Sequence, residues 1–207
     1  MAPVERLVFF SDAAVAIALT LLILPLMDAV YEAARANQNA WTYLSENANA
    51  LFSFTLSFVI IARFWRAHHR LFAAVERETP GLFSLDMAWL AAVVLLPVAT
   101  AMIGSLAADR VGYAVYIGTM LAASVNMTAM TWLLRRHPET WSEGRSVPAR
   151  GLRYSVSMVV LLVLALVISL TVPGAGYWSL LTLFGIRPLN WGLDRLFDPR
   201  PAQRRQS

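Results

Sequence analysis

Cysteine and lysine are both absent from the 207 residues, and histidine occurs only three times. Without cysteine there are no disulfides, no thiolate metal sites and no thiol nucleophile. Three histidines, one of them His137 in a predicted loop, are too few for the clustered histidine boxes of membrane di-iron enzymes. The missing lysine means that all 17 basic side chains are arginine, a compositional bias without functional weight. Charge is scarce, at 14% of residues against 58% hydrophobic, which is too apolar for an ordinary soluble domain and too evenly apolar for a single anchor. No internal repeat, low-complexity linker or soluble domain stands out.

What is present is a series of membrane-length apolar runs. The first, Arg6 to Leu26, carries no charge between Asp12 and Asp28, enough for a span of roughly 20 residues. Ile23-Leu24-Pro25-Leu26-Met27-Asp28 offers no small-residue cleavage site, so the segment is expected to stay in the mature protein. The whole sequence reads as an all-α polytopic membrane protein, one domain of six transmembrane helices at about 6–28, 49–73, 81–106, 111–135, 151–173 and 176–196. The sixth is expected to bend or emerge early at Pro188, which lacks an N–H. Residues 29–47 read as an interfacial helix or as a plain loop.

Arginine placement orients these spans, because basic residues gather in cytoplasmic loops. Arg63, Arg66, Arg70 and Arg77 follow the second run, Arg135, Arg136, Arg145, Arg150 and Arg153 follow the fourth, and Arg195, Arg200, Arg204 and Arg205 fill the tail. The alternate connections are acidic, balanced or uncharged. Both termini are therefore expected in the cytoplasm of a cell-membrane protein, which requires an even number of spans. A pI near 10.0 without an aromatic-basic module points to anionic lipid headgroups at the cytoplasmic face and away from nucleic acid.

Polar groups at membrane depth are costly and mark functional or buried networks. In the first run these are Arg6, Ser11 and Asp12, with Arg6 and Asp12 on different sides of the helix. Trp65 and His68, three apart in the second run, are the nearest candidates to join Asp12 in a network, while His69 is expected to be wetted at the interface. Asp86 reads as favoured by the helix dipole in the first turns of the third helix, with Arg187 as an alternative partner. Ala13, Ile17, Thr20, Leu21 and Leu24 share one face, which suits either a helix interface or a narrow constriction that excludes water. Val111-Gly112-Tyr113 lacks the flanking threonine and second glycine of a potassium-channel carbonyl filter and is rejected as one. Adjacent His68 and His69 splay about 100° apart on a helix, so a metal site with Asp12 is not expected. Ser11 has no nucleophile turn, and no enzyme activity or cofactor is expected.

Arg6, three residues, then Phe10-Ser11-Asp12, followed by Ala16-Ile17 and Thr20-Leu21-Leu22, closely resembles the signature of the TMEM175 family in its bacterial single-repeat form. The spacing of Trp65 and His68, six spans and a length near 200 residues are also similar. The resemblance implies a potassium-selective or potassium-permeable, leak-type cation channel without a carbonyl-loop filter, built as a homotetramer with the first helix lining the axis. It implies Ile17 as hydrophobic constriction, Thr20 as a hydroxyl layer and Leu24 as a further apolar ring, with Leu21 beside them. Phe10, Ser11 and Asp12, with Arg6, Trp65 and His68, would form a structural network holding that helix. Potassium would be the permeant ion, and Asp28 at the outer entrance would concentrate cations by its charge. The competing readings are a proton-coupled transporter or proton leak using an Asp12–His68 relay, and a non-conducting lipid-binding scaffold.

Overall fold

The computed structural model describes residues 4–77, 79–106, 109–186 and 190–191. These residues form helices α1 (Glu5–Leu21), α2 (Leu24–Arg35), α3 (Ala40–Glu46), α4 (Ala48–Phe72), α5 (Pro80–Ser105), α6 (Arg110–Arg136) and α7 (Ala149–Thr171), with a 3₁₀ segment at Gly176–Gly185. Five stretches are long and apolar enough to cross a membrane: Glu5–Arg35, taken as one, and α4, α5, α6 and α7. Helices lie where the first five spans are expected, the first interrupted at Leu22–Ile23 and continued by α2 to Arg35, past the expected end near residue 28. Of the sixth, expected at 176–196, the described part opens as the 3₁₀ segment Gly176–Gly185, and Ile186, Asn190 and Trp191 are α-helical. Arg187, Pro188, Leu189 and the arginines of the tail lie outside the described residues.

The break in the first span has a local cause. Pro25 has no N–H to offer the carbonyl of Leu21, so the α1 ladder cannot run through it. The Ile23 N–H turns back to Thr20 O at 3.3 Å, and a new helix begins with Pro25 in its first turn, where its fixed φ is favourable. Asp28 therefore sits on α2, and residues 29–47 are mostly helical, as the end of α2 and all of α3. Tyr43 of α3 donates its hydroxyl to Leu26 O at 3.1 Å, tying α3 to the joint.

Helices α5 and α6 start at side-chain caps. Thr79 accepts from Leu82 N at the head of α5, and Asp109 from Gly112 N at 2.7 Å at the head of α6. Val111-Gly112-Tyr113 is thereby the first turn of α6.

The helices pack around a core that includes Trp89, Leu96, Tyr116, Met130 and Leu162. Because apolar side chains gain little by leaving lipid for one another, contacts between membrane helices lean on small residues and interhelical hydrogen bonds. Every fourth residue of α4 near its start supplies one. Asn49 donates to Ile103 O at 3.0 Å, Ser53 bonds the Tyr177 hydroxyl, and Ser57 shares bonds with Tyr116 (2.9 Å) and Thr100 (2.8 Å). Gly176, at φ +36°, leads the 3₁₀ segment past the ring of Tyr113, 3.0 Å from where a Cβ would stand.

At the other end the loops after α4 and α6 clasp each other. Val75 and Trp141 form an antiparallel bridge, Glu76 N donates to Thr140 O at 2.9 Å, and Ser142 N to Ala74 O at 3.0 Å. The clasp reaches α1 through Val4 N to Glu76 O at 3.3 Å. Buried Val4, Val75 and Val147 give it an apolar floor.

α4 and α5 approach closely at Gly104, where a Cβ would stand 3.3 Å from Ala50 Cα and Ser53 Cβ. Gly104→Val should lower the thermal unfolding midpoint in detergent, by about 1–3 kcal/mol for overpacking. Gly118→Val, with nothing within 4 Å of its Cβ position, serves as the near-neutral control.

Candidate functional site

Around the axis of α1 the side chains sort into two opposed faces. Leu7, Ser11, Val15 and Ala18, continued by Leu22, are buried against the chain's other helices. At about 100° per residue, Ala13, Ile17, Thr20, Leu21 and Leu24 fall on the opposite side, and all are exposed in the single chain. Ile17 is 60% and Leu24 53% exposed, so a strip of branched apolar side chains on the first helix is left uncovered by its own chain. Within that strip Thr20 donates its hydroxyl proton to Ile17 O at 2.7 Å, leaving the oxygen as an acceptor.

Behind the strip lies a polar cluster on the covered face. Asp86, in the second turn of α5, is fully buried and accepts two hydrogen bonds, from Ser11 Oγ at 2.7 Å and from His68 Nε2 at 2.6 Å. His68 is itself fully buried, its ring stacked between Trp89 (centroids 4.2 Å apart) and Phe72 (4.3 Å). Among the described residues its Nδ1 and the Trp89 Nε1 have no hydrogen-bond partner. A third link closes the group: Trp65 Nε1 donates to Asp12 Oδ1 at 2.8 Å. Three helices are thus joined pairwise, α1 to α5 through Ser11–Asp86, α4 to α5 through His68–Asp86, and α1 to α4 through Asp12–Trp65.

The structure brings together most of the expected network and redistributes its partners. His68 pairs with Asp86 and not with Asp12, because it lies on the α4 face turned to α5 while Trp65 lies beside α1. Asp86 is the residue that sequence reasoning undervalued: it lies in the first turns of its helix as expected, and it is also the keystone of the cluster. A signal was available, since Asp86 lies two turns inside an apolar segment and stands three residues before Trp89, on one helix face. Arg6 and Phe10 lie apart from the cluster. Both are exposed, on the side of the uncovered strip, and Arg6 has no hydrogen bond or ion pair among the described residues. His69 is exposed, its ring 5.7 Å from that of Trp65. Asp28 is exposed on α2, beyond the Pro25 break.

Removing Asp86 strands His68 and Ser11 without their acceptor, whereas removing the exposed Trp65–Asp12 bond leaves groups that water can satisfy. Asp86→Ala should therefore destabilise the detergent-solubilised protein by about 3 kcal/mol or more, and Trp65→Phe by about 1 kcal/mol or less. Equal shifts in the two thermal midpoints would remove Asp86 from its central place.

Comparison with known proteins matches the chain to a family model, to a curated relative and to solved structures. The family model described as the endosomal/lysosomal potassium channel TMEM175 matches residues 6–97, a stretch that holds Ser11, Asp12, Trp65, His68, Asp86 and Trp89. A protein of Streptomyces collinus named as a potassium channel is 32% identical over 148 residues, 70% of each chain. The crystal structure of a lysosomal potassium-selective channel TMEM175 homolog from Chamaesiphon minutus superposes with a TM-score of 0.66 at 22% identity, covering 94% of this chain and 97% of that one. At that identity the last likeness is one of fold.

Proposed function

Because this chain belongs to the TMEM175 potassium channel family, we propose that it is a leak-type, potassium-permeable channel of the cell membrane whose constriction lies on the uncovered strip of α1. The observation that carries this reading is the strip itself. A membrane helix whose own subunit covers one face and leaves Ile17, Thr20, Leu21 and Leu24 bare on the other is fitted to face copies of itself around an axis. Four copies, both termini cytoplasmic and six spans per chain complete the reading.

In such an arrangement Ile17 forms a narrow apolar ring that impedes water and ions unless helices move apart. One turn on, Thr20 offers a hydroxyl oxygen whose proton is already committed to Ile17 O, so its lone pairs are free for a cation and repel an anion. Leu24 forms a second apolar ring, and Asp28 on α2 raises cation concentration at the outer entrance. Ser11, Asp12, Trp65 and His68 hold the helix; they are not ion ligands. The proton-relay alternative is not favoured, since His68 is engaged by Asp86 on the side away from the strip.

In proteoliposomes with imposed gradients, potassium flux should exceed sodium flux, and Ile17→Asn should raise leak severalfold by wetting the ring. Absence of flux from both proteins, correctly assembled, would overturn the channel reading. Asp28→Asn should reduce single-channel conductance at low salt and have little effect at about 1 M salt, where the Debye length is about 3 Å. Unchanged conductance at low salt would remove Asp28 from the entrance.

A further inference from the structure

On α4 the covered face runs through Ser57, Ile61, His68 and Phe72. Arg63, Arg66 and Arg70, spaced three and four apart, project from the opposite side of the helix within about 60° of one another. All three are exposed, and none has a carboxylate within ion-pair distance among the described residues. Arg63 is held in place from a different helix: its Nη2 donates to the Tyr154 hydroxyl of α7 at 3.1 Å. The phenol oxygen accepts there, so its own proton remains available to a further acceptor. A guanidinium and a phenol O–H are thus positioned side by side, with two more guanidinium groups along the same face.

The level of this pair in the bundle identifies the acceptor. The apolar run of α4, Phe58-Val59-Ile60-Ile61-Ala62, ends at Arg63, and the apolar run of α7 begins at Val156, just after Arg153 and Tyr154. Two antiparallel-running sequences pass from apolar to basic at one depth, and the Arg63–Tyr154 bond marks that depth directly. Arginine and tyrosine at such a border sit among lipid headgroups, and the uncompensated positive charge calls for an anion. We propose that Arg63, Arg66 and Arg70 of α4, with the Tyr154 hydroxyl of α7, bind the phosphate of an anionic lipid in the leaflet at the basic end of the bundle. Arg63 and Tyr154 supply directed donors to the phosphate oxygens, and Arg66 and Arg70 add field from the headgroup side. Nothing in this site depends on ion conduction.

The full chain, purified in neutral detergent and titrated with phosphatidylglycerol or phosphatidylcholine, tests the site by native mass spectrometry of bound lipid. Phosphatidylglycerol should bind more tightly than phosphatidylcholine, and Arg63→Gln with Arg66→Gln should weaken it about fivefold per arginine, about 1 kcal/mol each. Phosphatidylcholine, whose choline offsets the phosphate charge, should lose less affinity than phosphatidylglycerol. Tyr154→Phe, which removes a single hydroxyl at an exposed site, should cause a smaller loss and carries the test should the double variant fail to fold. Equal affinity for the two lipids, or a phosphatidylglycerol preference untouched by these variants, overturns the proposal. The alternative occupant of the face is a second copy of the chain. In this cysteine-free sequence Arg66→Cys provides a unique thiol: oxidation to disulfide-linked dimers in vesicles would overturn the lipid site, and free reaction with a thiol label would support it.

Discussion

A carboxylate enclosed in an apolar bundle has no water to satisfy it, and Asp86 imposes that condition on the three helices around it. Each of its oxygens takes one hydrogen bond, from Ser11 on α1 and His68 on α4. Meeting that demand fixes the rotation of α1 about its own axis, because Ser11 and the strip of Ile17 and Thr20 lie on opposite faces. Turning Ser11 inward turns the strip outward. The Trp65–Asp12 bond reinforces the same rotation from the side of α4. The anchor acts on the strip by orientation alone and contributes no atom to it.

The rest of the packing divides by depth. Toward the end remote from the arginines, hydroxyls and amides of α4 meet Tyr116, Thr100, Tyr177 and the carbonyl of Ile103. These bonds set the lateral register of α4, α5, α6 and the 3₁₀ segment, where apolar contact alone permits sliding. At the basic end the two loops grip each other by main-chain bonds, and the grip extends to the start of α1 through Val4 and Glu76. The first helix is thus held at its tip and at Ser11, while its opposite face is left bare.

The sequence conveyed the helices more clearly than their joints. Long apolar runs with arginine at alternate ends located five spans, since length and charge are local properties. The two-faced character of α1 was legible from spacing alone, and Phe10-Ser11-Asp12 with Trp65 and His68 marked the region of the anchor. The partner of His68 was not legible, because which of Asp12 and Asp86 it meets depends on how α4 rotates between two neighbours. The serines and asparagine of α4 passed unremarked for a related reason: Asn49, Ser53 and Ser57 become informative only when the Ile103 carbonyl, Tyr177 and Tyr116, each more than 50 residues away in the chain, face them. Pro25 was visible in the sequence, but a proline inside an apolar run is compatible with a kink, a break or an uninterrupted span. The turn at Thr20–Ile23 decides among these.

That turn makes the first span a jointed rod. The inner segment is clamped, whereas α2 is a separate rigid arm of about 18 Å at 1.5 Å per residue, and a swing of about 10° at the joint carries its far tip about 3 Å. Tyr43, bonded to Leu26 O close to the fulcrum, acts with a short moment arm. A swing of the outer arm at this joint would therefore return little load to Asp86.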